Sequence, residues 1–215
     1  MNVLFVSDGH GQIPGKTCLL GRITKDKFFG NTMRTIGIVK DILRFEYNEK
    51  SFRIDIFDTS RNERLRILTF QYLAKTNIVI YLIDLTEYAE INEEFISQMK
   101  RYLKDDSLIY IVGNKLDLTG VNVEENKELK EEYKVNIEKY RKQAKSLIEN
   151  KFIDKYFEVS AKNRKGVDIL LKNIKQYILR NKSFHNNIYL NKNNSKKNSS
   201  KKVNKFSILN KYFNL

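Results

Sequence analysis

Lys16 and Thr17, preceded by Gly15, have the residue types and the order that a phosphate-binding turn requires. They follow the apolar run Asn2–Ser7, which is typical of a buried strand, and open an apolar stretch that suits a helix. In such a turn, backbone N–H groups face the phosphates, the lysine reaches the β and γ phosphates, and the hydroxyl binds Mg²⁺. Because His10 occupies the first glycine position of the pattern G-x-x-x-x-G-K-[ST], a chance Gly-Lys-Thr at a helix start stays an alternative.

A second polar segment, Asn114-Lys115-Leu116-Asp117, follows the apolar run Leu108–Gly113. A carboxylate placed after a buried strand can accept hydrogen bonds from N1–H and from the exocyclic amino group of guanine. Adenine offers neither donor in that arrangement, so the aspartate would act as a specificity device. Taken alone, the segment also fits an ordinary charged turn at the end of a strand.

A third segment, Ser160-Ala161-Lys162, closes the short apolar run Phe157–Ser160. The backbone N–H of Ala161 could serve guanine O6, and Lys162 could pack its aliphatic stem over the base. Taken alone, three such residues carry no functional information.

Strand-like and helix-like runs alternate along the chain, which predicts a mostly parallel sheet covered on both faces. The carboxyl ends of its strands would bring the three polar segments to one edge, where open α/β sheets bind ligands. Residues 38–47 and 52–57, separated by a short polar turn, predict an antiparallel pair. The other predicted strands are 2–7, 78–84, 108–113 and 157–160. Helices are predicted over 16–23, 91–103 and 167–178.

In this order the three segments resemble the Ras superfamily of small GTPases over roughly Val3 to Ile178. The resemblance implies an α/β P-loop NTPase fold, a six-stranded, mostly parallel sheet with helices on both faces, over residues 1–180. Residues between the segments point to the Rab-like branch of that superfamily. They are Thr35-Ile36-Gly37, Asp58-Thr59 and Glu63-Arg64.

The same resemblance implies the ligands GTP or GDP with Mg²⁺, and a role for each matching residue. Thr17, Thr35 and Asp58 would hold the metal directly or through water, Phe28 would stack on guanine, and Lys16 and Asn62 would stand at the catalytic positions. The full set implied to contact the nucleotide is Gly11, Gly15, Lys16, Thr17, Cys18, Phe28, Thr35, Asp58, Asn114, Lys115, Asp117, Ser160, Ala161 and Lys162.

The sequence departs from the family pattern on the γ-phosphate side. The second switch of the family begins Asp-Thr-Ala-Gly-Gln-Glu, whereas Arg61 and Asn62 replace the glycine and the water-orienting glutamine here. The asparagine is one methylene shorter, so we expect slow or impaired GTP hydrolysis. In the phosphate loop, Gln12 adds a side chain and Pro14 removes one amide donor, a loss of about 1.5–3 kcal/mol if nothing replaces it.

A further departure lies on the surface where the Rab branch recognises its effectors. Lys40 takes the place of a phenylalanine in an aromatic triad whose other members align with Phe57 and Tyr72. The resemblance implies exchange factors and effectors as partners through the switch regions. We expect Lys40 to change which effectors fit.

The net charge of +14 is uneven, because 8 lysines and no acidic residue lie from Asn181 onward. The preceding residues carry 32 basic and 26 acidic side chains, a balance that disfavours nucleic acid as a general partner. We expect residues 181–215 to form a disordered basic tail that contacts anionic membranes weakly, and residues 119–136 to form a charged surface insertion.

The lone Cys18 excludes a disulfide framework and fits a reducing compartment. The chain ends without a prenylatable cysteine and has Asn2 after the initiator methionine, so we expect neither prenylation nor N-myristoylation. The expected location is cytoplasmic, with peripheral contact at the cytosolic face of endomembranes.

Three functional hypotheses remain open at this point. The first is a slowly cycling Rab-like GTPase in vesicle traffic, and the second is a pseudo-GTPase that serves as an interaction module without turnover. The third is a basic protein whose tail binds RNA or anionic membrane. The Asn114–Asp117 and Ser160–Lys162 segments, which could bind guanine, favour the first two hypotheses over the third.

Overall fold

The computed structural model describes residues 1–9, 13–60, 62–87, 90–119 and 127–181. Within these ranges the strands are β1 (Asn2–Val6), β2 (Ile38–Tyr47), β3 (Lys50–Thr59), β4 (Ile78–Asp84), β5 (Leu108–Asn114) and β6 (Lys155–Glu158). They form a six-stranded sheet in the order β2-β3-β1-β4-β5-β6, in which only β2 runs antiparallel to its neighbour. The predicted fold class, an α/β P-loop NTPase fold, is confirmed.

Helices cover both faces of the sheet and divide the apolar core into two layers. The helices are α1 (Lys16–Lys25), α2 (Arg66–Leu73), α3 (Glu93–Lys100), α4 (Lys127–Glu149) and α5 (Val167–Arg180), and a 3₁₀ turn at Glu63–Leu65 precedes α2. Buried side chains of α1 and α5 pack on one face of the sheet, and those of α2, α3 and α4 pack on the other.

The two innermost continuous apolar runs form the centre of the sheet. All seven residues of β4 are buried, as are the last four of β1, because each strand lies between two parallel neighbours and beneath helices on both faces. Both strands were predicted from their unbroken apolar character. Their carboxyl ends therefore hold the following loops in fixed positions at one edge.

Two predicted elements have different boundaries in the structure. Strand β6 ends at Glu158 rather than at Ser160, because Ser160 donates its N–H to the carbonyl of Lys165 within its own loop. Helix α3 covers only the middle of the predicted 91–103 segment. Asn92 caps its start by accepting a hydrogen bond from the N–H of Phe95 at 2.9 Å.

The structure describes only part of the two segments, 119–136 and 181–215, that are expected to lie outside the alternation of strands and helices. Helix α4 begins at Lys127, so the end of the predicted insertion at 119–136 belongs to a helix, and residues 120–126 lie outside the described ranges. The predicted basic tail lies outside them from residue 182 onward. Among the residues that the structure describes, no helix is both long and apolar enough to span a bilayer.

Candidate functional site

The side chain of Asn114, at the end of β5, joins the loops that follow three different strands. Its Nδ2 donates to the carbonyl of Pro14 at 2.8 Å, and its Oδ1 accepts from the backbone N–H of Ala161 at 3.0 Å. Asn114 is buried, so both bonds are shielded from water. The predicted meeting of the three polar segments at one edge therefore has a specific structural link.

Gly15 is required where the phosphate-loop segment enters α1. Its φ of +75° lies in the left-handed region, and a Cβ built there would come within 3.0 Å of the Asn114 Nδ2. A larger residue would strain the turn and push against the link between the loops. Gly11 and His10, at the start of the predicted loop, lie outside the described residues.

Lys16 is buried in the first turn of α1 and reaches back to the strand that precedes the loop. Its Nζ donates to the Oγ of Ser7 at 2.7 Å. A cleft of about 220 Å³ opens beside it, between Pro14 and Thr17 on one wall and residues 32–35 on the other. The lysine is therefore positioned over a cleft that can admit an anionic group.

The three predicted metal-binding residues lie in direct contact with one another. Thr17 Oγ1 donates to Asp58 Oδ2 at 2.6 Å, Thr35 Oγ1 donates to the same oxygen at 3.0 Å, and the two hydroxyls are 3.1 Å apart. The other carboxylate oxygen of Asp58, Oδ1, is buried without a hydrogen-bond partner. Burial raises the pKa of the Asp58 carboxyl, although the Thr17 hydroxyl and the charge of Lys16 act in the opposite direction.

This group fits Mg²⁺ by its chemistry, because the ion prefers hard oxygen ligands and the unpartnered carboxylate oxygen lacks a donor. Within the described part of the chain, no cluster of three or more His, Cys, Asp and Glu side chains could hold a metal. The two hydroxyls and the single carboxylate would therefore hold the ion together with water and phosphate oxygens, which is the mode typical of magnesium.

The residues predicted to read the base lie on the other side of Asn114. Asp117 Oδ1 accepts from Ser160 Oγ at 2.6 Å, and the same Ser160 oxygen accepts from the N–H of Asn163 at 3.1 Å. Lys115, with a φ of +68°, forms an ion pair with the fully buried Asp84. Lys115 and Asp117, the two charged residues of the Asn114–Asp117 segment, are thus held by residues at the ends of neighbouring strands.

The backbone N–H of Ala161, predicted to serve guanine O6, has a protein partner in the structure. It donates to the Asn114 side chain. The reason is that the loop folds back after β6 and places this N–H against the buried amide. Lys162 is exposed beside it, where its stem is free to cover a planar ligand.

Cys18 and Phe28 are the predicted nucleotide contacts that follow the glycine-lysine-threonine turn. The Cys18 thiol donates to the carbonyl of Phe29 at 3.3 Å, and burial raises its pKa. Phe29 packs against Gly21, where an added Cβ would lie 3.0 Å from its ring. Phe28 is 40% exposed at the site predicted for base stacking.

Asn62, predicted to stand at a catalytic position, makes two local hydrogen bonds. Its Oδ1 accepts from the N–H of Arg64 at 3.0 Å, and its own N–H donates to Ser60 Oγ at 3.1 Å. The side chain therefore caps the 3₁₀ turn that opens the α2 segment. Arg61 lies outside the described residues.

Sequence reasoning missed the contacts of Asp8 and Gly9. Gly9 has a φ of +88°, so a left-handed glycine follows β1 one residue before the position that the phosphate-loop pattern assigns to it. Asp8 accepts from the Tyr81 hydroxyl at 3.0 Å through Oδ2 and from the Arg66 guanidinium at 2.6 Å through its carbonyl. The Asp8-Gly9 pair directly after the first strand was the sequence signal that could have indicated these contacts.

The predicted effector triad forms a contiguous group. The rings of Phe57 and Tyr72 meet edge to face with centroids 5.1 Å apart, and the Lys40 Nζ lies 5.6 Å from the Phe57 centroid. The Lys40 ammonium also pairs with Asp55 at 2.7 Å. The charge that replaces the family's aromatic residue is thus bound to an acid on the neighbouring strand.

The sheet is doubly wound, and one edge carries a glycine-lysine-threonine turn, a buried aspartate beside two threonines, and an Asn-Lys-x-Asp segment. These features define the P-loop class of α/β domains. The family model described as "Ras family" matches residues 4–180. The chain belongs to the Ras family, and the resemblance to the Ras superfamily predicted from the sequence is confirmed.

Individual relatives match the chain over about half of its residues. A Zea mays protein described as GTP-binding protein YPTM2 is 32% identical over 111 residues, which cover 51% of this chain and 55% of that protein. The Arabidopsis thaliana Ras-related proteins RABD2a and RABD2c are 34% identical over 107 residues and 32% identical over 111 residues. These alignments cover 49% and 51% of this chain, and 53% and 55% of the two relatives. The chain therefore spans about half the length of the relatives it matches.

Proposed function

We propose that this chain is a Rab-like small GTP-binding protein that uses GTP and GDP with Mg²⁺ as a molecular switch in membrane traffic. The observation that carries the proposal is the Asn114 side chain, which holds the phosphate loop and the Ser160-Ala161-Lys162 loop at one edge. The amide bonds Pro14, which lines the cleft beside Lys16, on one side and Ala161, next to the Ser160 that holds Asp117, on the other. This arrangement supports a phosphate site beside a guanine-reading carboxylate. Membership of the Ras family and the similarity to a maize protein described as GTP-binding support it.

On this proposal each loop contributes one interaction to the nucleotide. Lys16 and the N-terminus of α1 would bind the phosphates, and Thr17, Thr35 and Asp58 would hold Mg²⁺, which would neutralise phosphate charge. Asp117, oriented by the Ser160 hydroxyl, would accept hydrogen bonds from the guanine N1–H and amino groups.

The same residues support slow turnover. The glutamine that orients water in the family is replaced by Asn62, whose carboxamide oxygen is engaged by the Arg64 N–H. Hydrolysis would then depend on the charge of Lys16 and of the metal, without a positioned base for the attacking water.

A pseudo-GTPase without turnover is the second candidate. It is favoured by the Asn62 cap and by Pro14, which supplies its carbonyl to Asn114 but has no N–H for a phosphate. In that case the switch segments and the Lys40–Phe57–Tyr72 group would bind partners in one fixed conformation. A tail-directed RNA- or membrane-binding protein ranks below both.

One experiment separates these functions. Purified protein is titrated with fluorescent GDP and GTP, with and without Mg²⁺, and single-turnover hydrolysis of bound GTP is then followed. Tight, Mg²⁺-dependent binding with slow product formation supports the switch, and binding without product supports the pseudo-GTPase. Absence of binding to either nucleotide would overturn the proposal.

A further inference from the structure

Arg22, on α1, is bonded to the loop that carries the base-reading residues. Its Nε donates to the Ala161 carbonyl at 2.8 Å, and its Nη2 donates to the Lys162 carbonyl at 2.8 Å. The arginine side chain is 13% exposed, so it lies largely between the helix and the loop. One planar guanidinium therefore holds two successive peptide groups of that loop.

The same guanidinium begins a chain of ion pairs that crosses the edge of the site. Arg22 Nη1 donates to Asp26 Oδ1 at 3.0 Å, and the same oxygen accepts from Arg164 Nη1. Arg164 in turn pairs with Asp168 in the first turn of α5, with Nη2 and Oδ1 2.7 Å apart. The hydrogen bonds from Arg22 and Arg164 hold the pKa of the Asp26 carboxyl below its ordinary value.

The backbone at both ends of the Asp26–Arg164 pair is unusual. Asp26 caps α1 with a φ of +52°, and Arg164 has a φ of +71°, both in the left-handed region that non-glycine residues seldom adopt. The ion pair therefore joins two residues with uncommon backbone conformations. Asp26 lies at the end of α1, and Arg164 lies in the loop between β6 and α5.

The pair joins the two segments that carry the residues predicted to flank the base. Asp26 comes two residues before Phe28, and Arg164 comes two residues after Lys162. Bringing Asp26 and Arg164 together therefore ties the start of the Phe28 segment to the Ser160-Ala161-Lys162 loop. For a base held between Phe28 and Lys162, these ion pairs would oppose the separation of the two segments.

We propose that Arg22, Asp26 and Arg164 form a latch that slows the release of bound guanine nucleotide. This inference rests on the proposed function and extends it by naming residues that set the lifetime of the bound state. They are positioning residues, since they act through the loop and the Phe28 segment. Asp26 and Arg164 are 65% and 37% exposed, so the latch is expected to be modest in strength and sensitive to salt.

Release of fluorescent GDP, measured after addition of excess unlabelled GDP, tests the latch in the full chain. Arg164→Ala should release GDP about two- to fivefold faster than the parent at low salt. Raising the ionic strength should accelerate release from the parent and narrow that difference. Asp26→Asn should act in the same direction, while Arg164→Lys, which keeps the charge, should fall between the parent and the alanine variant.

Arg141→Ala is the matched control, because Arg141 also forms an exposed bidentate pair, with both carboxylate oxygens of Glu158 at 2.7 Å, between α4 and β6. Its release rate should equal that of the parent. In Arg164→Ala the preference for GTP over nucleotides with other bases should stay unchanged. Amide hydrogen exchange over residues 160–166 should become faster.

The outcomes distinguish the two proposals. Equal release rates for the parent, Arg164→Ala and Asp26→Asn would overturn the latch and leave the proposed function intact. Faster release in Arg141→Ala as well would also overturn it, because the effect would then be general. A parent protein that binds no GDP would overturn the proposed function and the latch with it.

Discussion

Thr17 and Asp58 are joined by a 2.6 Å hydrogen bond from the threonine hydroxyl to one carboxylate oxygen, while the other oxygen of Asp58 is buried without a hydrogen-bond partner. A buried carboxylate oxygen without a donor costs free energy unless a cation or a donor satisfies it. Because the Thr35 hydroxyl contacts the same carboxylate, α1, the Thr35 segment and β3 converge on one oxygen. We therefore expect these residues to couple metal binding to the position of the Thr35 segment.

Substitution of Asp58 by alanine should remove the dependence of nucleotide affinity on Mg²⁺. In the parent, chelation of Mg²⁺ should weaken GDP binding by about tenfold or more, because the metal joins the phosphates to the protein. In Asp58→Ala the affinity should be equally low with and without the metal. Titrations in Mg²⁺ and in chelator measure this, with Asp55→Ala on the same strand as the control. A variant that keeps the parental Mg²⁺ response would refute the metal assignment.

Substitution of Asp117 by asparagine should change the preferred base. The carboxamide cannot accept from both guanine donors, so GTP affinity should fall by about 10- to 100-fold, and xanthosine triphosphate should become the better ligand. The asparagine oxygen can still accept from Ser160, so the loop should stay in place. Competition against fluorescent GDP measures the preference, and Asp105→Asn, exposed in the turn before β5, serves as the control. An unchanged preference for GTP would show that the base is read elsewhere.

Intrinsic GTP hydrolysis should be at or below about 10⁻⁴ s⁻¹, the slow range of isolated small GTPases. Because the Asn62 side chain caps the 3₁₀ turn, Asn62→Ala should change the single-turnover rate by less than about twofold. The double change Arg61→Gly with Asn62→Gln should raise it, since it restores the family's water-orienting residue. A large loss of rate in Asn62→Ala would mean that this side chain takes part in catalysis.

Asp55 should contribute to stability in a pH-dependent way. Although burial disfavours its charged form, ion pairs with Arg53 and Lys40 at 2.6 and 2.7 Å hold its pKa below the ordinary value. A lowered pKa means that the contribution is present above about pH 4 and is lost as the pH falls through the folded-state pKa. Asp55→Asn should therefore lower the unfolding free energy by about 1 kcal/mol at neutral pH.

Urea unfolding of the parent and of Asp55→Asn between pH 7 and pH 3 measures this contribution. The difference between the two proteins should shrink as the solution is acidified. A difference that stays constant over this range would show that the ion pairs are not its source.

Residues 182–215, which lie outside the described ranges, should contact anionic membranes weakly and reversibly. Each lysine near an anionic surface can contribute about 1 kcal/mol, and the apolar residues beyond Lys205 could insert shallowly. Co-sedimentation with anionic liposomes should be seen at low salt and lost at high salt or after removal of residues beyond Asn181. Binding that survives high salt or removal of these residues would place the attachment elsewhere.

Much of the sheet and of the site edge could be predicted from the sequence because the signals are local. Unbroken apolar runs identified β1 and β4, and the polar segments that follow the strands identified Asn114 and Asp117. Parallel strands bring their carboxyl ends to one edge whatever the details of the loops. Each polar segment could therefore be assigned to this edge because it directly follows a predicted parallel strand.

The contacts that tune the site could not be predicted in this way. Arg22 and Ala161 are separated by 139 residues, and the pairing of Asp26 with Arg164 spans 138, so no sequence pattern joins them. Asn62 could be recognised as a departure from the family, but its role as a cap depends on the path of the backbone at the 3₁₀ turn. The partner of the Ala161 N–H likewise depends on how the loop folds back after β6.

Competition binding with radiolabelled GDP tests the central claim, that this sheet edge binds guanine nucleotide with Mg²⁺. Purified protein comprising residues 1–215 is equilibrated with labelled GDP and Mg²⁺ and then challenged with an excess of unlabelled GTP, GDP or ATP. The account predicts stoichiometric retention of the label, displacement by GTP and GDP but not by ATP, and loss of the label when Mg²⁺ is chelated. Failure to retain GDP at millimolar concentration, or equal displacement by ATP, would contradict it.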